Sequence, residues 1–303
     1  MKPSLLFAAC LCAAVPTLYA ATLRVGSGQA YSKPSLAIAA ARDGDTIVIG
    51  EGTWNGDVCY CPPTKGVTVV GAGAGKTVLN AAGSVAGRKG IWVVTGTGWT
   101  VRGVTFKGAA ISRDDGFNAA GIRYEGDGPL TVDGCSFEGN QNGILCGALE
   151  HATIVVTNSL FRANGAGDGY SHNLYIGRIR ELGFFGCVSD HALGGHDLKS
   201  RALRTTVLDS VFDDGTDGTS SYLLDCPNGG DVTVKGCRFV KSPKSSNGSC
   251  MIAVGEEGAY KGSVLRLGEN GFTDRKGVRQ RIRLAEGVRL ESPGAPGTGP
   301  GSR

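Results

Sequence analysis

The chain has 303 residues, 41% of them hydrophobic, and a formal net charge of +4 at pH 7. That charge is too mild for a nucleic-acid binder, and the length allows one large domain or two small ones. Glycine is the outlier at 50 residues, against a usual share of about 7%; with no triplet period, the glycines must serve many tight turns.

Along the chain, Lys2 precedes an apolar run from Leu5 to Val15, followed by Pro16 and small residues up to Ala20. This reads as a signal peptide over residues 1–20, cleaved after Ala20, which predicts a secreted or periplasmic protein. The run is too short for a membrane span, which needs on the order of 20 apolar residues. Residues 35–42 (Ser-Leu-Ala-Ile-Ala-Ala-Ala-Arg) predict one helix with an apolar face. Asp43-Gly44-Asp45 then turns into a strand, Thr46-Ile47-Val48-Ile49. Cys59-Tyr60-Cys61 could be a metal or redox pair, but no second pair at zinc-finger spacing accompanies it. Two ordinary cysteines is the simpler reading.

From residue 90 onward two units recur in fixed order. The first is a β-branched pair, a small polar turn, then Phe. It reads Thr100-Val101-Arg102-Gly103-Val104-Thr105-Phe106 and returns as Thr131-Val132-Asp133-Gly134-Cys135-Ser136-Phe137. Later copies end at Phe161, Phe212, Phe239 and Phe272. The second unit is a short alternating run such as Gly121-Ile122-Arg123-Tyr124, Asn173-Leu174-Tyr175-Ile176, Asp197-Leu198-Lys199-Ser200 or Leu223-Leu224-Asp225-Cys226. Short alternating runs bounded by Gly, Asn and Asp are strands. The same two-strand unit repeating at roughly 23 to 33 residues is a solenoid rather than a sandwich. The expected fold is all-β: a single-domain parallel β-helix of about eight rungs over residues 21–290, right-handed by the rule for parallel crossovers. The predicted helix caps its open end, and residues 291–303, rich in Gly, Pro and Ser, form a disordered tail.

The turn of the first unit holds Val104, Cys135, Ser159, Cys187, Ser210, Cys237 and Asn270 in one column. Cys135, Cys187 and Cys237 fall two rungs apart, roughly 10 Å, beyond the reach of a disulfide at about 7 Å between Cα atoms. They are expected to be free thiols that pack the bend.

Two second-unit copies, His172-Asn173-Leu174-Tyr175 and His196-Asp197-Leu198-Lys199, start 24 residues apart and become neighbouring strands. Alternation points Leu174, Ile176, Leu198 and Ser200 inward. Asn173, Tyr175, Asp197, Lys199 and Arg201 then point outward. Burying an unpaired Asp225 would be costly, so the next strand is registered with Leu224 and Cys226 inside. The outward column reads Arg123, Leu145, Tyr175, Lys199, Asp225. His172 and His196 sit at the strand entrances, either stacked at a bend or acting directly, and Asp190 and His191 end the preceding strand. Arg and Lys on a rigid face can bind a sugar carboxylate, and Tyr can donate a proton to a leaving oxygen. Should Asp225 pair with Lys199, the lysine is held protonated and is a poor resting base.

These segments, with Cys187-Val188-Ser189-Asp190-His191 and Val207-Leu208-Asp209-Ser210-Val211-Phe212, resemble the pectate-lyase-like superfamily of right-handed β-helix proteins. The resemblance implies an exported polysaccharide lyase that cleaves a uronate-containing glycan by β-elimination. The alternatives are a uronate epimerase or a glycan- or envelope-binding β-helix without catalysis. It implies Lys199 as base, Arg201 as carboxylate clamp and Tyr175 as acid, with His172 and His196 alongside. Asn173, Asp197, His191, Asp225 and Arg123 would bind substrate. Calcium is an option, with Asp190, Asp197 and Asp225 as ligands, although no dense acidic cluster demands it. The expected partner is an acidic polysaccharide or oligosaccharide, and a monomer is expected. The pectate-lyase Arg-x-Pro-x-x-Arg element is missing, as is the hydrolase set of three aspartates with Gly-His-Gly.

Overall fold

The computed structural model describes residues 20–292, so residues 1–19 of the expected leader and residues 293–303 of the expected tail lie outside the described residues. Three parallel sheets of eleven, nine and nine strands run side by side. Each coil visits the second sheet, the third, then the first. One coil, for example, is Leu160–Arg162, Leu174–Ile176 and Ile179–Phe185. The result is a single-domain parallel β-solenoid of about ten turns, two more than the repeat suggested. The repeat marks its turns by Phe, and the earliest coils carry Trp54 and Leu79 in that column before Phe106 takes over. Glu291, expected in the tail, ends the last strand, Arg289–Glu291.

The core is a stack of rings. Phe106, Phe137 and Phe161 stack at 5.1 and 4.7 Å, and Phe212, Phe239 and Phe272 at 4.9 and 5.3 Å. The column breaks at Ser189, which pairs in register with Phe161 and Phe212. Phe184 leans in from the first sheet to fill the gap, 5.9 Å from Phe161 and 5.8 Å from Phe212. Each such ring stabilises by roughly 1.5–3 kcal/mol of burial, with about 0.5–1.5 more for the stacking.

The predicted small-residue column lines the bend between the first and second sheets. The Ser159 hydroxyl accepts from the Cys135 N–H at 3.1 Å, the Cys187 Sγ from Ser159 at 3.5 Å, and the Ser210 hydroxyl from Cys187 at 3.2 Å. Cys135, Cys187 and Cys237 are free and buried, and burial pushes the Cys135 and Cys187 thiols up to about 12. One such hydrogen bond contributes about 1 kcal/mol. The rings therefore dominate stability, while the ladder fixes register.

The helix runs Pro34–Ala40, with Pro at its start as its missing N–H allows. Buried Ala37 and Ile38 cover the first coils, and the Ser35 N–H donates to Asp57 at 3.0 Å. No described helix is long and apolar enough to cross a membrane.

Candidate functional site

On the third sheet Arg123, Leu145, Tyr175, Lys199 and Asp225 pair in register as one column, continued by Ala253 and Arg283. Leu174, Ile176, Leu198, Ser200, Leu224 and Cys226 are fully buried on the inner face. The register that keeps Asp225 off the core is therefore the one the protein adopts. Even so, Asp225 is only 2% exposed, with His196 and Lys199 packed against it.

Those groups form one network. The Lys199 ammonium lies 3.1 Å from a Glu257 oxygen and 3.5 Å from Asp225. Arg201 donates through Nε to the Tyr175 hydroxyl at 3.2 Å, through Nη1 to the Asn228 amide oxygen at 2.8 Å, and through Nη2 to Glu257 at 2.6 Å. The Tyr175 ring lies under both cations, 6.0 Å from Lys199 Nζ and 5.9 Å from the Arg201 guanidinium. Burial pushes the Asp225 carboxyl up to about 6, against the pull of the Lys199 charge. Lys199 thus occupies the ion-pair role that the sequence left as an alternative to the base.

The histidines form a stacked pair, centroids 4.6 Å apart and rings 16° from parallel, buried at 2% and 7% exposure. His172 Nδ1 accepts the His196 N–H at 2.9 Å, and His196 Nδ1 accepts the Tyr222 N–H at 3.1 Å. Both rings use Nδ1 as an acceptor, which leaves Nε2 of His196 as a donor 3.4 Å from Asp225. Burial, then the Lys199 charge, pushes His172 down to about 3; burial also pushes His196 well down, so both rings are neutral. Of the two roles open to them, the stacked bend is the one seen. Their partners are backbone amides and a carboxylate, not the groove.

Asn173 and Asp197 are corrections. Both were expected to face outward and are fully buried. Alternation fails at the corner before each strand, where bend N–H groups need partners. Asn140, Asn164 and Asn173 form a ladder: the Asn164 side chain accepts from the Asn140 N–H at 3.0 Å, and Asn173 accepts from the Asn164 N–H at 3.0 Å. Asp197 ends it, accepting from Asn173 Nδ2 at 3.2 Å and the Ala192 N–H at 3.1 Å. Ser189, the gap in the ring column, binds this corner by donating to the Asp197 carbonyl at 2.7 Å. Neither Asn173 nor Asp197 can touch a glycan. His191 sits at the end of Val188–Asp190, 3.3 Å from Asp217, away from the column. The calcium set does not converge. Asp190 is gripped by Arg162 at 2.7–3.2 Å, Asp197 is in the corner, Asp225 is under Lys199, and no group of three possible ligands lies together among the described residues.

Beside the column lies a groove of about 550 Å³. Arg123, Leu145 and Tyr175 lie along it, Arg178 and Arg201 flank it, and Phe117, Asp168 and Tyr170 line it too. Burial would raise the Asp168 carboxyl, but hydrogen bonds from the Tyr170 N–H and from Ser171 win and hold it below the ordinary range. Arg178 donates to the Tyr260 hydroxyl at 3.3 Å, which itself donates to the Arg201 carbonyl at 3.0 Å. Glu257, Arg178, Asn228 and Tyr260 were not singled out from the sequence. The one available signal was the acidic pair Glu256-Glu257 set between Gly255 and Gly258, both at positive φ.

Sheet count, coil path and polar column together define a parallel β-helix protein. The right-handed beta helix region family matches residues 87–260, more than half the chain, and the chain belongs to it. No curated protein matches the sequence. Among solved structures, the pectin methylesterase from Aspergillus niger aligns at TM-score 0.54 and 14% identity, over 90% of this chain and 86% of that one. The pectin methylesterase from Erwinia chrysanthemi aligns at 0.55 and 11%, over 91% and 93%. An alginate lyase from Paenibacillus sp. aligns at 0.52 and 14%, over 89% and 99%. At such identities the likeness is one of fold.

Proposed function

We propose that this is an exported protein that binds an acidic, uronate-containing glycan in the third-sheet groove and cleaves it by β-elimination. The observation that carries the reading is the convergence of Arg123, Arg178 and Arg201 on one groove that also holds the Tyr175 hydroxyl. Guanidinium forks match carboxylates, and a row of them suits a chain carrying one carboxylate per sugar. Fold relatives named for pectin and alginate, two uronate polymers, agree with that chemistry.

β-Elimination needs a neutralised carboxylate, a base for the proton α to it, and an acid for the leaving oxygen. The arginines supply the first. Tyr175 is the proton-transfer group beside them, and its oxygen accepts from Arg201 Nε at 3.2 Å. As phenolate it takes the α proton. The double bond forms as the bond to the leaving oxygen breaks, and the tyrosine returns the proton to that oxygen. One group can do both when proton and leaving oxygen share a face of the ring. This gives Tyr175 the base role that the resemblance assigned to Lys199.

The test is a panel of polyuronates with the mature protein, followed by the ultraviolet absorbance of unsaturated ends. The reading predicts signal with at least one polymer and its loss in Tyr175→Phe. A changed sugar ratio without new absorbance would mark an epimerase, and methanol released from a methylated polymer an esterase. Binding without any reaction would leave only a glycan-binding module.

A further inference from the structure

Glu257 bridges two cations that a ligand carboxylate would seek. It receives Arg201 Nη2 at 2.6 Å and Lys199 Nζ at 3.1 Å, one on each carboxylate oxygen. Its own side chain is 48% exposed, whereas those of Lys199 and Arg201 are 12% and 22% exposed. The carboxylate thus sits on the solvent side of a recessed pair, at the border of the groove that Arg201 lines. Its backbone is anchored independently. The Glu257 N–H donates to the Pro227 carbonyl at 2.8 Å, and Asn228 Nδ2 donates to the carbonyls of Glu257 and Gly258 at 3.3 and 3.1 Å. Gly255 and Gly258 hold the turn at positive φ. The side chain can therefore swing away by χ rotation alone while the turn stays in place.

We propose that Lys199 and Arg201, with the Asn228 amide oxygen and Tyr175 hydroxyl fixing the guanidinium, form a carboxylate-binding subsite that Glu257 fills in the free protein and a glycan carboxylate takes over on binding. The inference rests on the acidic-glycan reading of the groove and adds where one carboxylate lands and what must leave first. Glu257 is a competitor built into the chain. It keeps two recessed cations paired when no ligand is present, and it lowers apparent affinity by the fraction of time it occupies the subsite.

The test compares wild type with Glu257→Gln and Glu257→Ala. The first probe is a saturated oligouronate, titrated by calorimetry. The subsite predicts tighter binding by both variants, about fivefold, the ratio that corresponds to about 1 kcal/mol for a partly exposed ion pair. The second probe is free glucuronate, which at one concentration should raise the melting temperature of Glu257→Ala more than that of wild type, because only the variant has the subsite open all the time. Unchanged or weaker oligouronate binding by folded variants, with wild-type binding intact, overturns the competitor and leaves the groove reading standing. Absence of oligouronate binding by all three proteins overturns the groove reading and this inference with it. Glucuronate that stabilises both proteins equally also overturns the inference.

Discussion

Replacing Asp225 with Asn isolates the most unusual charge in the site. The carboxyl is 2% exposed, and burial raises it from 3.8 to about 6 although Lys199 stands 3.5 Å away. Desolvation thus outweighs the ion pair. A rise of about two pH units is worth about 3 kcal/mol. The sign follows from proton counts. Between pH 6 and 3.8 the folded protein holds a proton at Asp225 that the unfolded chain releases, so this group's contribution grows as pH falls and is lost as pH rises through 6. His172 acts oppositely. Its folded value of about 3 lies below the ordinary 6.5, so its contribution is present above 6.5 and lost as pH falls. The difference between Asp225→Asn and wild type cancels most of the histidine effect. Urea unfolding at about pH 7.5 and about pH 4 should show the stability gap shifting by roughly 2–2.5 kcal/mol in favour of wild type at the lower pH. At about pH 7.5 the neutral amide should be tolerated, because it sheds a desolvated charge while Lys199 keeps its ion pair with Glu257 at 3.1 Å. A gap that does not move with pH, or a variant crippled at neutral pH, would refute the reasoning.

Other outcomes follow from the same geometry. Phe184→Ala should cost about 3–5 kcal/mol in chemical unfolding, because this ring fills the gap that Ser189 leaves in the stack. Asn164→Ala should cost about 2–3 kcal/mol, since it strips Asn140 of its acceptor and the Phe137 carbonyl of its donor in a fully buried corner. Arg178 is exposed, so Arg178→Ala should weaken oligouronate binding severalfold with almost no change in melting temperature. The buried thiols Cys135 and Cys187, with values near 12, should resist alkylation in the native protein at neutral pH and react on unfolding.

The outward column from Arg123 to Asp225 could be read from the sequence because strand alternation is a local rule and the cost of burying Asp225 on the core chose between two registers. The Cys135–Ser159–Cys187 ladder was legible for the same reason: it repeats at the coil period. Alternation gave the wrong face for Asn173 and Asp197, because the residue at a corner answers to orphan backbone amides, not to the pleat. The extra turns were missed because Trp54 and Leu79 fill the column that Phe marks later. Glu257 lies 58 residues beyond Lys199 and reaches back over it by side chain alone, a contact that no repeat period encodes.

The groove is the centre of the account, and a crystal structure with a bound oligouronate tests it most directly. The account predicts sugar carboxylates on Arg123, Arg178 and Arg201 with the Tyr175 hydroxyl facing the ring carbon beside a carboxylate. A glycan seated on the first or second sheet, or in the groove with its carboxylates turned to solvent, would contradict it.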